Sequence, residues 1–418
     1  MTTIPRIVSA DDHVVEPPDV FTSRLPAKYR DVGPRVVRAP VAEMTFRGGN
    51  YVTRMGTAGD AGPVADFWVY EDLQWPHTRL SACAGFAPED VQVVPMIYDE
   101  MRPGCYQPGP RLDDMDLNWV EASLCFPTFP RFCGQTFLEA RDKDLALLCV
   151  RAYNDWMVEE WCAGSGGRLL PLCLIPLWDP VLAAEEVRRN AARGVRAVCF
   201  SELPGNLGLP SVHDVDRHWD PFVAACAETG TVICMHSGSG SKMPSTSSDA
   251  PPAVSSTLTH ELAEGSLADW LFSGLLVRHP DLTLTYSEGQ IGWIPYILAR
   301  ADRVWEHNRG WSDSRDLVPE PPSTYYWGRV YGCFFDDAAG LAALDAIGPR
   351  QVTFETDYPH ADGTWPHSRA VAEKLLDGLD DDVVHDIVRG NALRMLGLDD
   401  PATNLTEASI SERSDESG

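Results

Sequence analysis

The chain has 418 residues, 44% of them hydrophobic, and its 61 acidic against 34 basic side chains give a formal charge of -27. A chain of this length and apolar content can bury a sizeable core, and global disorder is excluded. So acidic a surface repels phosphate backbones and anionic lipid, so a small molecule is the expected partner, and nucleic acid and membranes are not.

The opening MTTIPRIVSADDH lacks the basic segment and long apolar run of a secretory signal, and no apolar stretch is long enough to span a bilayer. IVSADDHV (7–14) is the first strand candidate. Residues of about 17–115 then form a Pro/Gly-rich excursion with aromatics at Phe67, Trp68, Tyr70 and Trp75. A connection that long is more than a turn, and a lid or small subdomain over the site is expected, its aromatics covering a planar substrate. Strand-like runs follow at 120–128, 168–177, 195–202, 231–238, 282–289, 330–337 and 351–360. Between them lie stretches with apolar residues at helical spacing, such as 145–162, 180–194 and 341–348. Apolar strands, each followed by an amphipathic helix, imply a parallel sheet under helices, and eight of them imply an α/β fold closed as a (β/α)8 TIM barrel. A dinucleotide-binding open sheet would need a glycine-rich turn after strand one, where the chain reads DDHVVEPP. The barrel is expected over 1–398, with the excursion as an insertion after strand one. SGSGSKMPSTSSDAPPAVSS (237–256) is too polar to be core and reads as a mobile loop beside the site, and the acidic, Ser-rich 399–418 reads as a disordered tail. Eleven cysteines without a CxxC pair, four of them (Cys125, Cys173, Cys199, Cys234) in apolar runs, read as reduced thiols of a cytoplasmic protein.

Barrel chemistry gathers at the carboxyl ends of strands. Strand one ends Asp11-Asp12-His13, and alternation aims Asp11 and His13 one way and Asp12 the other. His236 ends strand five, Glu288 strand six, and Asp357, followed by His360, strand eight. Each has a plainer reading: a hydrogen-bonded core histidine for His236, a cap for Asp11, a turn residue for Asp357, an ion pair to arginine for Glu288, a supporting contact for His360. Jointly they converge on one axis, and Asp11, His13, His236 and Asp357 are expected to ligate one divalent metal ion, zinc first and manganese second. Asp357, Glu288 and His360 are the candidate catalytic groups. Arg47, Arg131 and Lys242 are candidates to hold a substrate carboxylate.

Asp11-x-His13, the single His236 and the Thr-Asp-Tyr-Pro of 356–359, together with SADDHVVEPPDVF (9–21), SEGQIGWIPYILARAD (287–302), ETDYPHADGTWPHS (355–368) and NALRMLGL (391–398), resemble the amidohydrolase superfamily. More narrowly they resemble its aminocarboxymuconate-semialdehyde decarboxylase-like group. The resemblance implies a metal-binding pair on strand one, here with Asp11 as its first member, and a position near Glu288 where the decarboxylase has a catalytic histidine. Binuclear members carry a carboxylated lysine on strand four. VRAVCFSE has none, so a mononuclear site is implied. The expected activity is non-oxidative decarboxylation of an aromatic or unsaturated carboxylic acid. Metal-dependent hydrolysis of an amide, lactone or C–C bond and a non-catalytic binding barrel are the alternatives. A homodimer is the expected assembly.

Overall fold

The computed structural model describes residues 4–47, 50–312 and 316–398, so the segment 399–418 lies outside the described residues. Eight parallel strands run in sequence order: Ile7–Val14, Val120–Pro127, a third in two pieces (Leu169–Leu170 and Leu172–Cys173), Ala197–Phe200, Val232–His236, Leu284–Ser287, Val330–Phe334 and Val352–Phe354. Each pairs with its neighbour in parallel. Pro171, with no N–H to offer the ladder, divides the third. Beyond the eighth strand the chain returns to the first. The Asp357 N–H donates to Asp11 O at 3.0 Å and the His13 N–H to Tyr358 O at 2.6 Å, which closes the barrel.

Helices cover the outside, so most strands are buried on both faces, which is why they read as continuous apolar runs. Two of the covering helices carry clear start signals. Asp179 caps Pro180–Ala191, accepting from the Val181 and Leu182 N–H groups ahead of Pro180. Asp142 caps Lys143–Trp156 through the Leu145 N–H. None of the eleven cysteines is paired, and Cys125, Cys173, Cys199 and Cys234 are buried. No described helix is long and apolar enough to cross a membrane.

The excursion between strands one and two contains a four-stranded antiparallel sheet in the spatial order Asn50–Met55, Arg35–Arg47, Val64–Tyr70, Leu73–Pro76. Its aromatics are packed into protein cores. Phe67, Trp68 and Tyr70 are buried, and Trp68 stacks on Phe129 with ring centroids 4.4 Å apart. Trp75 packs half-buried against the same core. Trp68, Tyr70 and Trp75 anchor the sheet to the barrel core, and Phe67 packs within the sheet against Val41, Ala65 and Val69, which corrects the expectation that they cover a substrate.

Candidate metal centre

Asp11 and His13 lie on a strand that bulges: Ser9 pairs with Ser123 but Asp12 with Cys125, so three steps on strand one match two on strand two. Both side chains still meet at the axis. Asp12 turns away, accepting from Ser9 Oγ at 3.1 Å, Thr356 Oγ1 at 2.6 Å, the Tyr358 N–H at 3.0 Å, and Ser123 Oγ. It stitches strand one to strands two and eight. His236 ends strand five with Nδ1 2.7 Å from Ser237 O, which places its proton there and leaves the Nε2 lone pair facing the axis.

The four expected ligands come together. His236 Nε2 is 3.1 Å from His13 Nε2 and 3.4 Å from Asp11 Oδ2, and His13 Nε2 is 3.3 Å from Asp357 Oδ1. All four side chains are fully buried. Asp357 and Glu288 stand beyond their short strands, in turns, with φ of +49° and +53°. Non-glycine residues held in the left-handed region cost energy and persist where the surroundings fix them, often at functional sites. The turn after Asp357 doubles back so closely that a Cβ on Gly363 would meet the Thr356, Asp357 and His360 carbonyl oxygens at 2.9, 3.0 and 3.1 Å.

Both carboxylate oxygens of Asp11 and both of Asp357 are buried without a hydrogen-bond donor. Burial, reinforced by Glu355, Asp357 and Glu288, pushes the Asp11 pKa well above the carboxylate range. Burial, with charge on His360 and His236, pushes His13 well below the imidazole range. Buried acceptors this poorly satisfied are rare in folded proteins unless something absent from the protein atoms completes them. A divalent cation fits: it satisfies the oxygens, takes the imidazole lone pairs and reverses the repulsion. Two overlapping groups could hold it, Asp11–His13–His236 and His13–Glu288–Asp357–His360, each with its ligand atoms within 4.8 Å of one another. His13 belongs to both, so the two groups adjoin.

His360 is the proton-rich member. Its Nδ1 lies 3.1 Å from Asp357 Oδ1 and 3.8 Å from Glu288 Oε1, and its ring stacks on His13 at 3.8 Å. Burial opposes its charge, but Asp357 and Glu288 outweigh burial and push its pKa up to about 10. In metal-free protein, an imidazole titration followed by NMR should therefore show one histidine near pH 10, absent from His360→Gln. The sign follows from linkage. The stabilisation from charged His360 is full below its unfolded pKa of about 6.5 and is lost as pH rises through the folded value. Glu288 Oε1 also lies 3.7 Å from His236 Nε2. Among the described residues its ion-pair contacts are to imidazoles, so the arginine partner weighed from sequence is not observed.

Several supporting groups were not singled out from sequence. Glu202, just past strand four, is buried and accepts from the Gly238 and Gly240 N–H groups at 3.0 and 3.3 Å, while its own N–H donates to Ser239 Oγ at 2.9 Å. Burial pushes its pKa up to about 8. This clamp buries Ser237–Gly240, correcting the reading of the whole 237–256 segment as too polar to be core; Pro252–Thr257 is helical. Residues 241–249 are mainly exposed, and their amides should exchange much faster than those of 237–240 in hydrogen exchange. The strand-end rule that found Glu288 could have found Glu202. Phe132 stacks on His236 at 4.0 Å and 8°. Arg111, fully buried, donates to His13 O and Gly104 O and lies 4.2 Å over the Tyr358 ring. Glu355, buried below the centre, accepts the Glu288 N–H at 3.2 Å.

Of the expected carboxylate-holding cations, Arg131 and Lys242 show no contact with the ligand cluster. Arg131 pairs with Glu139 at 2.5 Å and donates to Ser241 Oγ, and Lys242 is exposed. The Arg47 side chain lies outside the described residues. A cavity of about 240 Å³ adjoins Glu288, lined also by Phe132, Ser237, Met243, Gln290, Phe335 and Asp362.

The sequence profile of the amidohydrolase family matches residues 65–398, a stretch that includes His236, Glu288, Asp357 and His360. The chain belongs to the amidohydrolase family. No curated protein matches it in sequence. Among solved structures it is similar to an amidohydrolase from Mycobacterium avium subsp. paratuberculosis K-10, at 22% identity and a TM-score of 0.67, covering 94% of this chain and 99% of that one. It is similar to 2,6-dihydroxybenzoate decarboxylase from Rhizobium, at 16% identity and a TM-score of 0.58, with the same coverage. A third is a dihydroxybenzoic acid decarboxylase from Polaromonas sp. JS666 with bound manganese and the inhibitor 2-nitroresorcinol, at 19% identity and a TM-score of 0.55, covering 76% of this chain and 93% of that one. At these identities the likeness establishes a shared amidohydrolase barrel fold.

Proposed function

We propose that this amidohydrolase-family enzyme is a metal-dependent, non-oxidative decarboxylase of an aromatic or unsaturated carboxylic acid. The observation that carries the reading is Asp357 Oδ1, 3.3 Å from the ligand nitrogen of His13 and 3.1 Å from Nδ1 of His360. A carboxylate so placed adjoins the metal centre on one side and an imidazole able to carry a proton on the other. Asp11, His13, His236 and Asp357 would hold one divalent ion. Mixed nitrogen and oxygen donors suit zinc or manganese, and the manganese of the Polaromonas relative supports manganese. When bound, the ion supplies Lewis acidity and a positive anchor for the substrate carboxylate.

The protein's own groups supply the proton. Decarboxylation forms one C–H bond and breaks one C–C bond. The carbon bearing the carboxylate takes a proton, the C–C bond breaks, its electron pair restores the unsaturated system, and CO₂ leaves. Asp357 delivers that proton and His360 replenishes it through the 3.1 Å contact. Glu288, 3.8 Å from His360, keeps the imidazole charged. Phe132, flat against His236, fixes one edge of the site and excludes water from it. The names of the Rhizobium and Polaromonas relatives support an aromatic acid as substrate.

The test is a panel of hydroxylated aromatic acids and matched esters, lactones and amides, offered to enzyme loaded with manganese or zinc. CO₂ release from an acid is the expected result. Hydrolysis of the esters, lactones or amides with no CO₂ from any acid would replace this reading with a hydrolase.

A further inference from the structure

The cavity of about 240 Å³ beside Glu288 shares three walls with the metal centre. Glu288 Oε1 is 3.7 Å from His236 Nε2, Phe132 stacks on the His236 ring, and Ser237 is the next residue in the chain. Pockets of about 300–1,000 Å³ enclose drug-sized ligands, so this smaller volume suits a single ring, with Phe132 and Phe335 as apolar walls.

Its polar lining consists mostly of acceptors. The Thr257 hydroxyl donates to Ala253 O at 2.7 Å, the Thr259 hydroxyl to Ser255 O at 3.1 Å, and the Ser237 hydroxyl to Glu288 O at 3.4 Å. With their protons committed to the backbone, these oxygens present lone pairs. His260 behaves alike: its Nδ1 lies 3.2 Å from Thr257 O, which places the proton there and leaves Nε2 an acceptor. Gln290 brings an amide whose Oε1 is buried without a donor. Glu288 and Asp362 add two carboxylates. Glu288 is engaged with His236 and His360, whereas the Asp362 carboxylate forms no ion pair among the described residues. No lysine or arginine stands among the described lining residues, and Lys242, next to Met243 in the chain, is exposed.

A wall of this chemistry discriminates between ring substituents. A hydroxyl or amino group brings a proton for a carboxylate or an imidazole nitrogen to accept. A carboxylate brings none, and it meets two like charges with no cation to offset them. The reacting carboxylate escapes that repulsion because the ion's charge meets it at the centre. We infer that Asp362 determines substrate specificity: with Glu288 it admits a single-ring monocarboxylic acid bearing a hydroxyl or amino donor in this cavity, and it rejects an acid bearing a second carboxylate there. The inference rests on the decarboxylase reading for the orientation of the acid, with its reacting carboxylate at the centre.

The experiment offers benzoate, the hydroxy- and aminobenzoates and the benzenedicarboxylates to metal-loaded enzyme, reading Kd by calorimetry and kcat/KM from CO₂ release. The best hydroxy- or aminobenzoate should bind at least tenfold more tightly than benzoate, and every dicarboxylate at least tenfold more weakly. Asp362→Arg, at an exposed position in the turn after strand eight, should tighten the best dicarboxylate at least tenfold. Asp362→Asn, which keeps an acceptor oxygen and loses the charge, should relieve the penalty on the dicarboxylates and keep the preference for donors. A dicarboxylate that binds wild-type enzyme as tightly as benzoate, or a penalty unchanged by both substitutions, would overturn the inference even if CO₂ is released. Selection that follows Asp362 as expected, with no CO₂ from any acid, would overturn the decarboxylase reading and leave the role of Asp362 in binding standing.

Discussion

Asp357→Asn should lower turnover by about a hundredfold or more, the scale of lost general acid–base catalysis, while metal content falls much less. The amide keeps the shape of the side chain and one oxygen for the ion. It cannot carry a proton from His360 Nδ1, which is 3.1 Å from the carboxylate, to the substrate carbon. The backbone reason for the position stays intact, because the Asp357 N–H still donates to Asp11 O and the turn is still closed by Gly363. Folding should therefore be little changed. Single-turnover CO₂ release, with elemental analysis of the same sample, separates the two effects. Near-wild-type turnover in a metal-replete Asn variant would move the proton role to Glu288 or to His360 acting directly.

His236→Ala should remove most of the bound metal without unfolding the protein. His236 presents Nε2 to the axis from the last residue of strand five, and it is one of the two strand-borne imidazoles at the centre. Its loss breaks the Asp11–His13–His236 group and leaves one imidazole and two carboxylates of the expected four donors, a much weaker set for zinc or manganese. The fold depends on other groups. Val232, Ile233, Cys234 and Met235 keep the strand in the core, and Glu202 still holds the following turn by its bonds to Gly238 and Gly240. The truncation does leave Ser237 O without its imidazole donor and Phe132 without its stacking partner, so a stability loss of roughly 1–3 kcal/mol is expected. Full metal occupancy in a folded His236→Ala protein would return His236 to the role of a core histidine.

The barrel was legible because its strands are buried on both faces, and burial on both faces writes an uninterrupted apolar run into the sequence. Asp11, His13, His236 and Asp357 were legible for a related reason: a polar residue ending such a run stands at the mouth of the barrel. The strand limits were less so. Strand eight is only Val352–Phe354, and the residues from Thr356 to His360 form a turn whose path is set by hydrogen bonds to strand one, a contact made across 344 residues of sequence. The excursion's aromatics misled because Trp68 against Phe129 is a core contact, and an aromatic cluster reads the same in sequence whether it faces a core or a ligand. Ser237–Gly240 misled in the opposite sense. Their small polar composition suits a surface loop, but the Gly238 and Gly240 N–H groups are satisfied by a buried Glu202 just past strand four, and those of Ser237 and Ser239 by the Ser287 and His236 carbonyls. Arg111 gave no signal at all, since its importance lies in reaching the His13 carbonyl from 98 residues away.

The most direct measurement of the central claim is turnover of an aromatic acid in deuterated water by enzyme loaded with manganese. One CO₂ should appear per product molecule, and the product should carry one deuterium at the carbon that lost the carboxylate, placed there by the Asp357–His360 pair. Asp357→Asn should slow both signals together. Products of hydrolysis with the carboxylate retained and no deuterium on carbon would contradict the assignment of this centre to decarboxylation.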